Sequence, residues 1–346
     1  MTPKRDYYDA VVVGAGPNGL AAAITLGRRF NAVLLLEAAE TIGGGVRSKA
    51  LTLPGFIHDV CSTVQPLSLA SPFFQQLDLP QYGLEWIQPE IPLAHPFKDG
   101  SALYLHRSLE ITADALGPDG RAYKRLLQPF VEHEQKLLAD ILQPLHFPDN
   151  PILMARFAFH GLQSLRNLAE TQFQSERTGA LLAGLAAHAM IPLEQTATAA
   201  FGLILATLAH SLGWPIIKGG SQRLADALAD CFQGNGGEII TGQPIASASD
   251  LPKAASYFFD VTPRQLINIK GLGLTDGYCK RLGRFRYGPG VYKMDWALKE
   301  PIPWKADICR KAGTVHLGDS LGEIAASIRE VRAGKVSPSP YIILAQ

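Results

Sequence analysis

Residues Ala10–Glu37 have the sequence AVVVGAGPNGLAAAITLGRRFNAVLLLE, which contains the strongest fold signal of the chain. Val11–Val13 is a short apolar β-branched run, which is typical of a strand buried on both faces. A glycine-rich turn follows, and Leu20–Arg29 is rich in Ala and Leu, which favours a helix. Val33–Leu36 predicts a second buried strand that ends at Glu37. A strand, glycine turn, helix, strand and acid in this order are the fingerprint of a dinucleotide-binding βαβ unit.

The glycines of this turn have the spacing Gly14-x-Gly16-x-x-Gly19. We expect Gly14 to permit a tight turn, Gly16 to let a diphosphate approach the backbone, and Gly19 to let the helix pack against the sheet. Pro17 and Asn18 lie between Gly16 and Gly19, before the helix predicted over Leu20–Arg29, whose N–H groups and positive dipole end attract phosphate. A phosphate-bearing cofactor is therefore predicted here.

Glu37 is placed to accept hydrogen bonds from the hydroxyls of a ribose. Its charge would repel a 2′-phosphate, which makes NADP a poor candidate. Three consecutive glycines, Gly43–Gly45, follow soon after, with Arg47 and Ser48 behind them. Such a run allows backbone paths that other residues tolerate poorly, so this loop is predicted to wrap the diphosphate from its second side.

These motifs resemble the FAD-dependent oxidoreductases of the amine oxidase and phytoene desaturase superfamily, above all its phytoene dehydrogenase-like branch. The acid Glu37, the pair Gly43-Gly44 and the segment Asp59–Cys61 stand where that superfamily has an acid, a double glycine and a D-x-G segment. Two departures stand out. Gly45 replaces the usual arginine, with Arg47 two residues later, and Cys61 replaces the glycine of D-x-G.

A later passage carries the same resemblance. Gly219-Gly220 leads into a helix predicted over Arg223–Phe232 and a strand predicted over Glu238–Thr241. In the family, such a passage returns the chain to the flavin domain and sets an apolar residue, here Ile245, against the adenine. An apolar strand over Tyr257–Thr262, stopped by Pro263, resembles the strand that passes the pyrophosphate.

The resemblance implies FAD as the cofactor and leaves catalytic residues unassigned. No metal is predicted, because the nine histidines are scattered without a ligand spacing and HExxH does not occur. The predicted cofactor-binding residues are Gly14, Gly16, Pro17, Asn18, Gly19, Glu37, Gly43, Gly44, Gly45, Arg47, Ser48, Asp59, Cys61, Ser62, Gly219, Gly220, Ile245 and Thr262.

The predicted fold class is α/β: a Rossmann-like FAD-binding domain with an inserted α+β substrate domain. We assign 1–69 and 213–269 to the FAD-binding domain and 70–212 and 270–346 to the substrate domain. The predicted elements of the substrate domain are a hairpin within 94–114, helices over 119–143, 151–174 and 176–191, a buried helix over 196–212 and a half-exposed strand over 291–298. Because the chain stops in an apolar stretch, Pro340–Gln346, we expect it to be truncated and to lack a C-terminal FAD segment.

Composition narrows the function classes. The net charge is +1, which provides no field for nucleic acid. The four cysteines form no CxxC pair, which excludes thiol–disulfide chemistry and suits a reducing compartment. A polar N-terminus leaves no room for a signal peptide before the glycine motif. We therefore expect a cytoplasmic protein, with peripheral membrane contact and a homodimer as open alternatives.

The predicted function is FAD-dependent, phytoene dehydrogenase-like hydride transfer from a substrate C–H bond to flavin N5. The substrate is expected to be a small apolar molecule or an amine, and the electron acceptor oxygen or a quinone. An amine or amino-acid oxidase and a non-catalytic nucleotide-binding module are the alternatives. Trp214 is interpreted either as a residue near the substrate or as a core aromatic, and Lys218 as a surface residue or a neighbour of the flavin ring.

Overall fold

The computed structural model of the protein describes residues 3–346. Its strands are β1 Tyr8–Val13, β2 Val33–Leu36, β3 Ser48–Lys49, β4 His58–Asp59, β5 Trp86–Ile87, β6 Ile91–Pro96, β7 Ala102–Leu105, β8 Ile216–Ile217, β9 Glu238–Ile240, β10 Ala254–Phe259, β11 Ala312–Leu317 and β12 Ile342–Ala345. Its α-helices are α1 Pro17–Gly27, α2 Pro66–Ala70, α3 Pro72–Gln75, α4 Leu109–Ala115, α5 Gly120–Glu132, α6 Glu134–Ile141, α7 Pro151–Gly161, α8 Leu165–Gln172, α9 Glu176–Ala187, α10 Thr198–Ser211, α11 Gln222–Gly234, α12 Pro263–Asn268, α13 Asp276–Gly283 and α14 Leu321–Arg332. Short 3-10 turns lie at Gly44–Val46, Leu79–Tyr82, Gly117–Asp119, Ala248–Asp250 and Asp307–Lys311.

The first sheet is parallel, with the strand order β10-β1-β2-β9. β1 and β2 are neighbours, paired from Ala10–Val33 to Val13–Leu36, as the fingerprint predicts. Helices α1 and α11 pack their apolar sides on one face of this sheet, around Leu20, Leu35 and Phe232. The central strands are buried on both faces, which explains why their sequences are continuous apolar runs. The predicted α/β class with a Rossmann-like unit is confirmed.

The second sheet has the order β12-β11-β6-β7. β6 and β7 form the predicted hairpin, in which Pro96 pairs with Ala102 across a turn. β11 runs parallel to β6 and antiparallel to β12. The second sheet therefore combines β6 and β7, which precede Gly219-Gly220 in the chain, with β11 and β12, which follow it. The domain boundaries at 69, 212 and 269 stay predictions.

Helices α9 and α10 form the centre of the largest apolar core. α9 is buried from Thr178 to Ala187, and α10 lies within the helix predicted over 196–212. Two predicted helices are each broken in two. α5 contains Pro129, which removes a backbone donor, and it ends one residue before His133. α8 starts afresh because Ser164 caps it by accepting the N–H of Asn167.

The strand predicted over 291–298 is wrong. This segment is irregular, and Tyr292 and Trp296 are 88% and 65% exposed. Alternating apolar residues form a strand only beside a pairing partner, and no described strand pairs with this segment. The apolar terminal stretch does form a strand, β12, but at the edge of its sheet, with Ile342 and Ile343 partly exposed rather than in the core.

Among residues 3–346, no helix combines the length and the apolar character that a membrane crossing requires. All four cysteines lie in this range, and all are free thiols.

Candidate functional site

The turn between β1 and α1 uses glycine where a side chain would not fit. Gly14 has φ +108°, and a Cβ there would lie 2.3 Å from the backbone oxygen of Asp260. A Cβ on Gly19 would lie 1.9 Å from the carbonyl oxygen of Gly14. At Gly16 the nearest atom to a Cβ is Asp260 Oδ2, at 3.6 Å, so the space beside it stays open. This is the division of roles expected for a tight turn, close helix packing and an open approach.

The two glycine loops meet at this turn. The N–H of Gly43 donates to the carbonyl of Ala15 at 2.8 Å, and a Cβ on Gly44 would lie 3.1 Å from the Cα of Gly16. Gly43 and Gly44 have φ of +114° and +51°, so the path of the loop depends on glycine. Within residues 3–346, the backbone N–H groups of Gly16, Asn18, Gly44 and Gly45 have no acceptor. The junction therefore offers four free donors around the first turn of α1.

Glu37 lies at the end of β2 and is 9% exposed. Its Oε2 accepts the N–H of Ala15 and its Oε1 the N–H of Ala39, both at 2.9 Å. These bonds hold the carboxylate beside the glycine turn, and each oxygen keeps a further lone pair for another donor. The carboxylate thus has a structural role in addition to the predicted ribose contact.

Asp260 is a residue of this site that the sequence reasoning missed. It directly follows β10, and its Oδ2 accepts the N–H of Gly19 at 2.7 Å. The available signal was topological: parallel strands end at the same edge of a sheet, so the residue after β10 lies beside the residue after β1. Asp260 brings a negative charge to the positive end of α1.

Ser48 and Asp59 are engaged with the second glycine passage. The Ser48 hydroxyl donates to Asp59 Oδ1 at 2.6 Å, and the same oxygen accepts the N–H of Ser221 at 2.7 Å. Ser48 also accepts the N–H of Gln222 at 2.9 Å, and a Cβ on Gly220 would lie 2.6 Å from its Oγ. The predicted residues are therefore brought together, with their polar atoms satisfying the first N–H groups of α11.

The other predicted residues take varied positions. Arg47 donates from Nε to the carbonyl of Gly44 at 3.0 Å, so its guanidinium group lies beside the Gly43–Gly45 loop. Cys61 is exposed, and Ser62 beside it donates its N–H to Gly45 at 2.9 Å. Ile245 packs on the opposite face of the parallel sheet. Thr262 caps α12 through Gln265, so its hydroxyl is engaged locally.

Trp214 and Lys218 precede Gly219, and their positions differ sharply. Trp214 is buried in the main core, and its indole N–H donates to the carbonyl of Leu205 at 3.2 Å. Lys218 lies on the surface and pairs with Glu85 at 2.9 Å. The core interpretation of Trp214 and the surface interpretation of Lys218 fit these positions.

Two open clefts border the glycine loops. One, of about 660 Å³, is lined by Pro17 and Asn18 together with α2 and α3 residues such as Phe73. The other, of about 400 Å³, is lined by residues including Ile42 and Gln222. The first turn of α1 and the start of the Gly43–Gly45 loop are therefore both accessible from solvent.

Asp140, His146 and Asp149 bring ligand atoms within 4.8 Å of one another. However, Asp140 accepts the backbone N–H groups of Asp149 and Asn150 at 2.9 and 3.1 Å. The carboxylate therefore closes the loop that follows α6, and this group is not assigned as a metal site.

The chain matches a family model described as an NAD(P)-binding Rossmann-like domain over residues 12–76. It is 26% identical over 235 residues to a limonene dehydrogenase component of Castellaniella defragrans, covering 64% of this chain and 42% of that protein. It is 30% identical over 268 residues to hydroxyneurosporene desaturase of Cereibacter sphaeroides, covering 68% and 50%. It is 27% identical over 289 residues to pyridine nucleotide-disulfide oxidoreductase domain-containing protein 2 of Mus musculus, covering 70% and 48%.

The chain thus spans about half the length of these curated relatives. Among solved structures, an oxidoreductase from Methanosarcina mazei superposes with a TM-score of 0.56 at 17% identity, covering 81% of this chain and 65% of that one. That likeness supports the fold. The glycine turn, the parallel sheet and the three relatives show that the chain belongs to the superfamily of FAD-dependent amine oxidases and phytoene desaturases.

Proposed function

We propose that this chain binds FAD and belongs to an oxidoreductase of the phytoene dehydrogenase-like type, acting on a C–H bond of a small apolar substrate. The observation that carries the proposal is the contact between the two glycine loops at Gly16 and Gly44, with four free backbone donors around the start of α1. A Cβ at either position would fill the approach that a diphosphate requires.

The residues present fit the ADP half of FAD. The N–H groups of Gly16, Asn18, Gly44 and Gly45 would hold the diphosphate together with the positive end of α1. Glu37 would accept the ribose hydroxyls, and Ile245 would lie against the adenine. Arg47 adds a positive charge to the loop, whereas Asp260 opposes it. The site therefore has four backbone N–H donors and the Arg47 cation, against the two carboxylates of Glu37 and Asp260.

The chemistry that FAD supplies when bound is acceptance of a hydride from a substrate C–H bond. The task of this chain is to fix the cofactor, to orient the substrate and to exclude water from the reacting atoms. Relatives named as a desaturase and a limonene dehydrogenase support an apolar substrate. Oxygen and a quinone remain the proposed alternatives for the electron acceptor.

The test is reconstitution of the full 346-residue chain with FAD, followed by flavin absorption and fluorescence quenching. The Gly16→Val variant, which fills the approach, should weaken FAD binding by about 100-fold, equivalent to about 2.7 kcal/mol. Gly277→Ala in α13 is the matched control, because no atom lies within 4 Å of a Cβ there. Equal FAD binding by Gly16→Val and the wild type would overturn the assignment of this site.

Substrate assays separate the alternative functions. Flavin reduction by an apolar isoprenoid supports the dehydrogenase, whereas peroxide release with an amine supports an oxidase. Because the chain spans about half of its relatives, a flavin-binding module without turnover is the second candidate. Photoreduction of bound flavin, with no reduction by either probe, would favour that module. We propose that the protein is cytoplasmic, with peripheral membrane contact as the alternative, and cell fractionation would test this. A homodimer is the alternative to a monomer, and light scattering would distinguish these two states.

A further inference from the structure

An irregular segment, residues 291–298, presents apolar side chains to water. Its alternating side chains that are between 45% and 88% exposed are Tyr292, Met294, Trp296 and Leu298. Asp295 and Ala297, which lie between them, are half-buried. This arrangement inverts the usual pattern of a surface segment, in which polar side chains face water and apolar ones face the protein. The proposed FAD chemistry does not explain the inversion.

The segment is held to the protein through its polar side. His58 Nδ1 lies 3.6 Å from Asp295 Oδ1, and Lys293 pairs with the same carboxylate. Within residues 3–346, the backbone of 286–301 forms no hydrogen bond with another backbone group. The polar contacts therefore hold the segment beside β4, while its backbone and its apolar side chains stay open to solvent.

The loop between β3 and β4 adds further exposed apolar side chains. The rings of Phe56 and His58 stack at a centroid distance of 6.4 Å, and Thr52 Oγ1 lies 2.6 Å from His58 Nε2. Because His58 also pairs with Asp295, this loop lies beside the segment 291–298. We define the docking face by six exposed apolar side chains of the two segments: Leu53, Ile57, Tyr292, Met294, Trp296 and Leu298. A group of this kind marks an interaction surface, whereas single exposed residues do not.

Cations are concentrated around the docking face. Between Arg264 and Lys311 the chain has eleven lysines and arginines against four acids, although the net charge of the whole chain is only +1. Five exposed cations in this stretch have no carboxylate partner within residues 3–346: Lys280, Arg281, Arg284, Arg286 and Lys299. The positive charge is therefore unevenly distributed and accompanies the exposed apolar side chains.

This combination favours one class of partner. Trp and Tyr rings beside lysines and arginines are typical of protein surfaces that lie among the headgroups of a bilayer. Anionic lipids supply the negative charge that the unpaired cations lack. A second copy of this chain would bring the same cations to the contact, and like charges repel. The headgroup region is also hydrated, so the free backbone groups of 286–301 keep their hydrogen bonds to water.

We propose that the docking face binds the surface of an anionic lipid bilayer, with the rings of Tyr292 and Trp296 among the headgroups and the flanking cations on the lipid phosphates. This deepens the peripheral membrane contact named above, and its purpose rests on the proposed function. Asp59, which follows His58, accepts the N–H of Ser221 at 2.7 Å in the second glycine passage. A docked protein therefore holds the FAD site near the bilayer, where a small apolar substrate concentrates.

The first test is sedimentation of the full chain, with and without FAD, with vesicles made of equal parts of phosphatidylcholine and phosphatidylglycerol. The wild type should sediment with these vesicles at low salt, bind less as salt is added, and bind vesicles of phosphatidylcholine alone about 10-fold or more weakly. Protein that stays in the supernatant with the anionic vesicles, or that binds both kinds of vesicle equally, would overturn the proposal.

Paired substitutions test the role of the cations. Arg284→Gln combined with Arg286→Gln should weaken binding to the anionic vesicles by about 10- to 30-fold, because each cation at a bilayer surface contributes about tenfold or somewhat less. Arg332→Gln combined with Lys335→Gln removes the same charge from exposed positions outside the docking face and should change binding by less than about 3-fold. Equal losses in the two double variants would show that only the overall charge matters.

Trp296 tests the apolar part of the docking face. Trp296→Gln should weaken vesicle binding by about 10-fold, whereas Trp296→Phe should retain most of it. Phe159→Gln on α7, also at an exposed apolar position but outside the docking face, is the matched control and should bind like the wild type. The fluorescence of Trp296, obtained as the difference between the wild type and Trp296→Phe, should shift to shorter wavelengths with anionic vesicles. Urea denaturation checks that each variant is folded.

Other occupants of the docking face give different results. Vesicle binding that is unchanged in Trp296→Gln would mean that another surface meets the bilayer, and the proposal would be wrong. A dimer by light scattering that Trp296→Gln converts to a monomer, with no vesicle binding, would assign the face to a second copy instead. Because vesicle binding requires no cofactor, a chain that binds vesicles but not FAD would refute the proposed function alone.

Discussion

Asp260 and Gly19 are 241 residues apart in the chain, yet the Asp260 carboxylate accepts the Gly19 amide N–H at 2.7 Å. The bond ties the end of β10 to the first turn of α1. It also places a carboxylate where the proposed diphosphate requires positive potential. The structure therefore stabilises the start of this helix with the same kind of interaction that a bound anion would use.

Replacing Asp260 should show this competition. Asp260→Asn keeps an acceptor for Gly19 but removes the charge, so we expect FAD to bind about 2- to 5-fold more tightly at low salt, from about 0.3–1 kcal/mol of charge–dipole interaction. The gain should shrink as salt screens the charge. Flavin fluorescence titration measures it, with the exposed Asp307→Asn as the control. Unchanged or weaker binding by Asp260→Asn would contradict the prediction.

Glu37 should matter for folding as well as for FAD. Glu37→Ala leaves the N–H groups of Ala15 and Ala39 without their acceptor, and we expect a loss of about 2 kcal/mol in the free energy of unfolding. Urea denaturation of the chain without FAD measures this loss. The control is Glu40→Ala, at an exposed position in the same loop, which should change stability by less than about 0.5 kcal/mol. Equal stability of the two variants would refute the structural role of Glu37.

Two glycines of α9 should respond in opposite ways to alanine. Gly184→Ala places a Cβ 2.6 Å from His316 Nδ1, and we expect it to destabilise the fold by about 1–3 kcal/mol. At Gly179 the nearest atoms to a Cβ are 3.6 Å away, an ordinary contact distance. Because alanine favours helix more than glycine does, Gly179→Ala should stabilise by about 0.5–1 kcal/mol. Chemical denaturation compares the two, and a stabilising Gly184→Ala would show that the histidine ring is not packed against the helix.

Stability should fall as the pH drops from about 6.5 to 4, because buried histidines stay neutral in the folded protein. Burial lowers the pKa of His210 to about 4, and its Nε2 lies 2.9 Å from the Tyr123 hydroxyl. In this pH window the unfolded chain binds a proton that the folded chain excludes, so stability rises with pH. His210→Gln should reduce the pH dependence of the urea midpoint between pH 4 and 6.5, whereas His133→Gln, at an exposed position, should leave it unchanged. An identical pH profile in all three proteins would contradict a neutral, buried His210.

Lys218 should be nearly neutral for both stability and flavin binding. Both side chains of its ion pair with Glu85 are exposed, and such pairs contribute about 0–1 kcal/mol to the free energy of unfolding. Lys218→Ala should therefore keep the flavin spectrum and FAD affinity of the wild type. A shifted flavin band in Lys218→Ala would revive the interpretation in which this lysine reaches the ring.

Several elements could be predicted from the order of residues along the chain. The βαβ unit at 8–36 depends on apolar runs and glycines that are close in sequence, so periodicity and turn chemistry were enough. The β6–β7 hairpin and helix α10 are local in the same sense. The strand predicted over 291–298 failed because a strand needs a partner, and local alternation does not supply one.

Local sequence patterns were therefore sufficient to predict the local units: which residues form the turns, which form buried strands and which acid ends the second strand. Tertiary structure alone decided that Asp260 reaches Gly19, that Ser48 and Asp59 satisfy the first N–H groups of α11, and that His188 meets His316. These contacts join residues that are between 128 and 241 positions apart in the chain. Their polar groups can pair only after the sheets and helices have packed. Local preference carries no record of such distant partners, because burial and strand order create the need for each hydrogen bond.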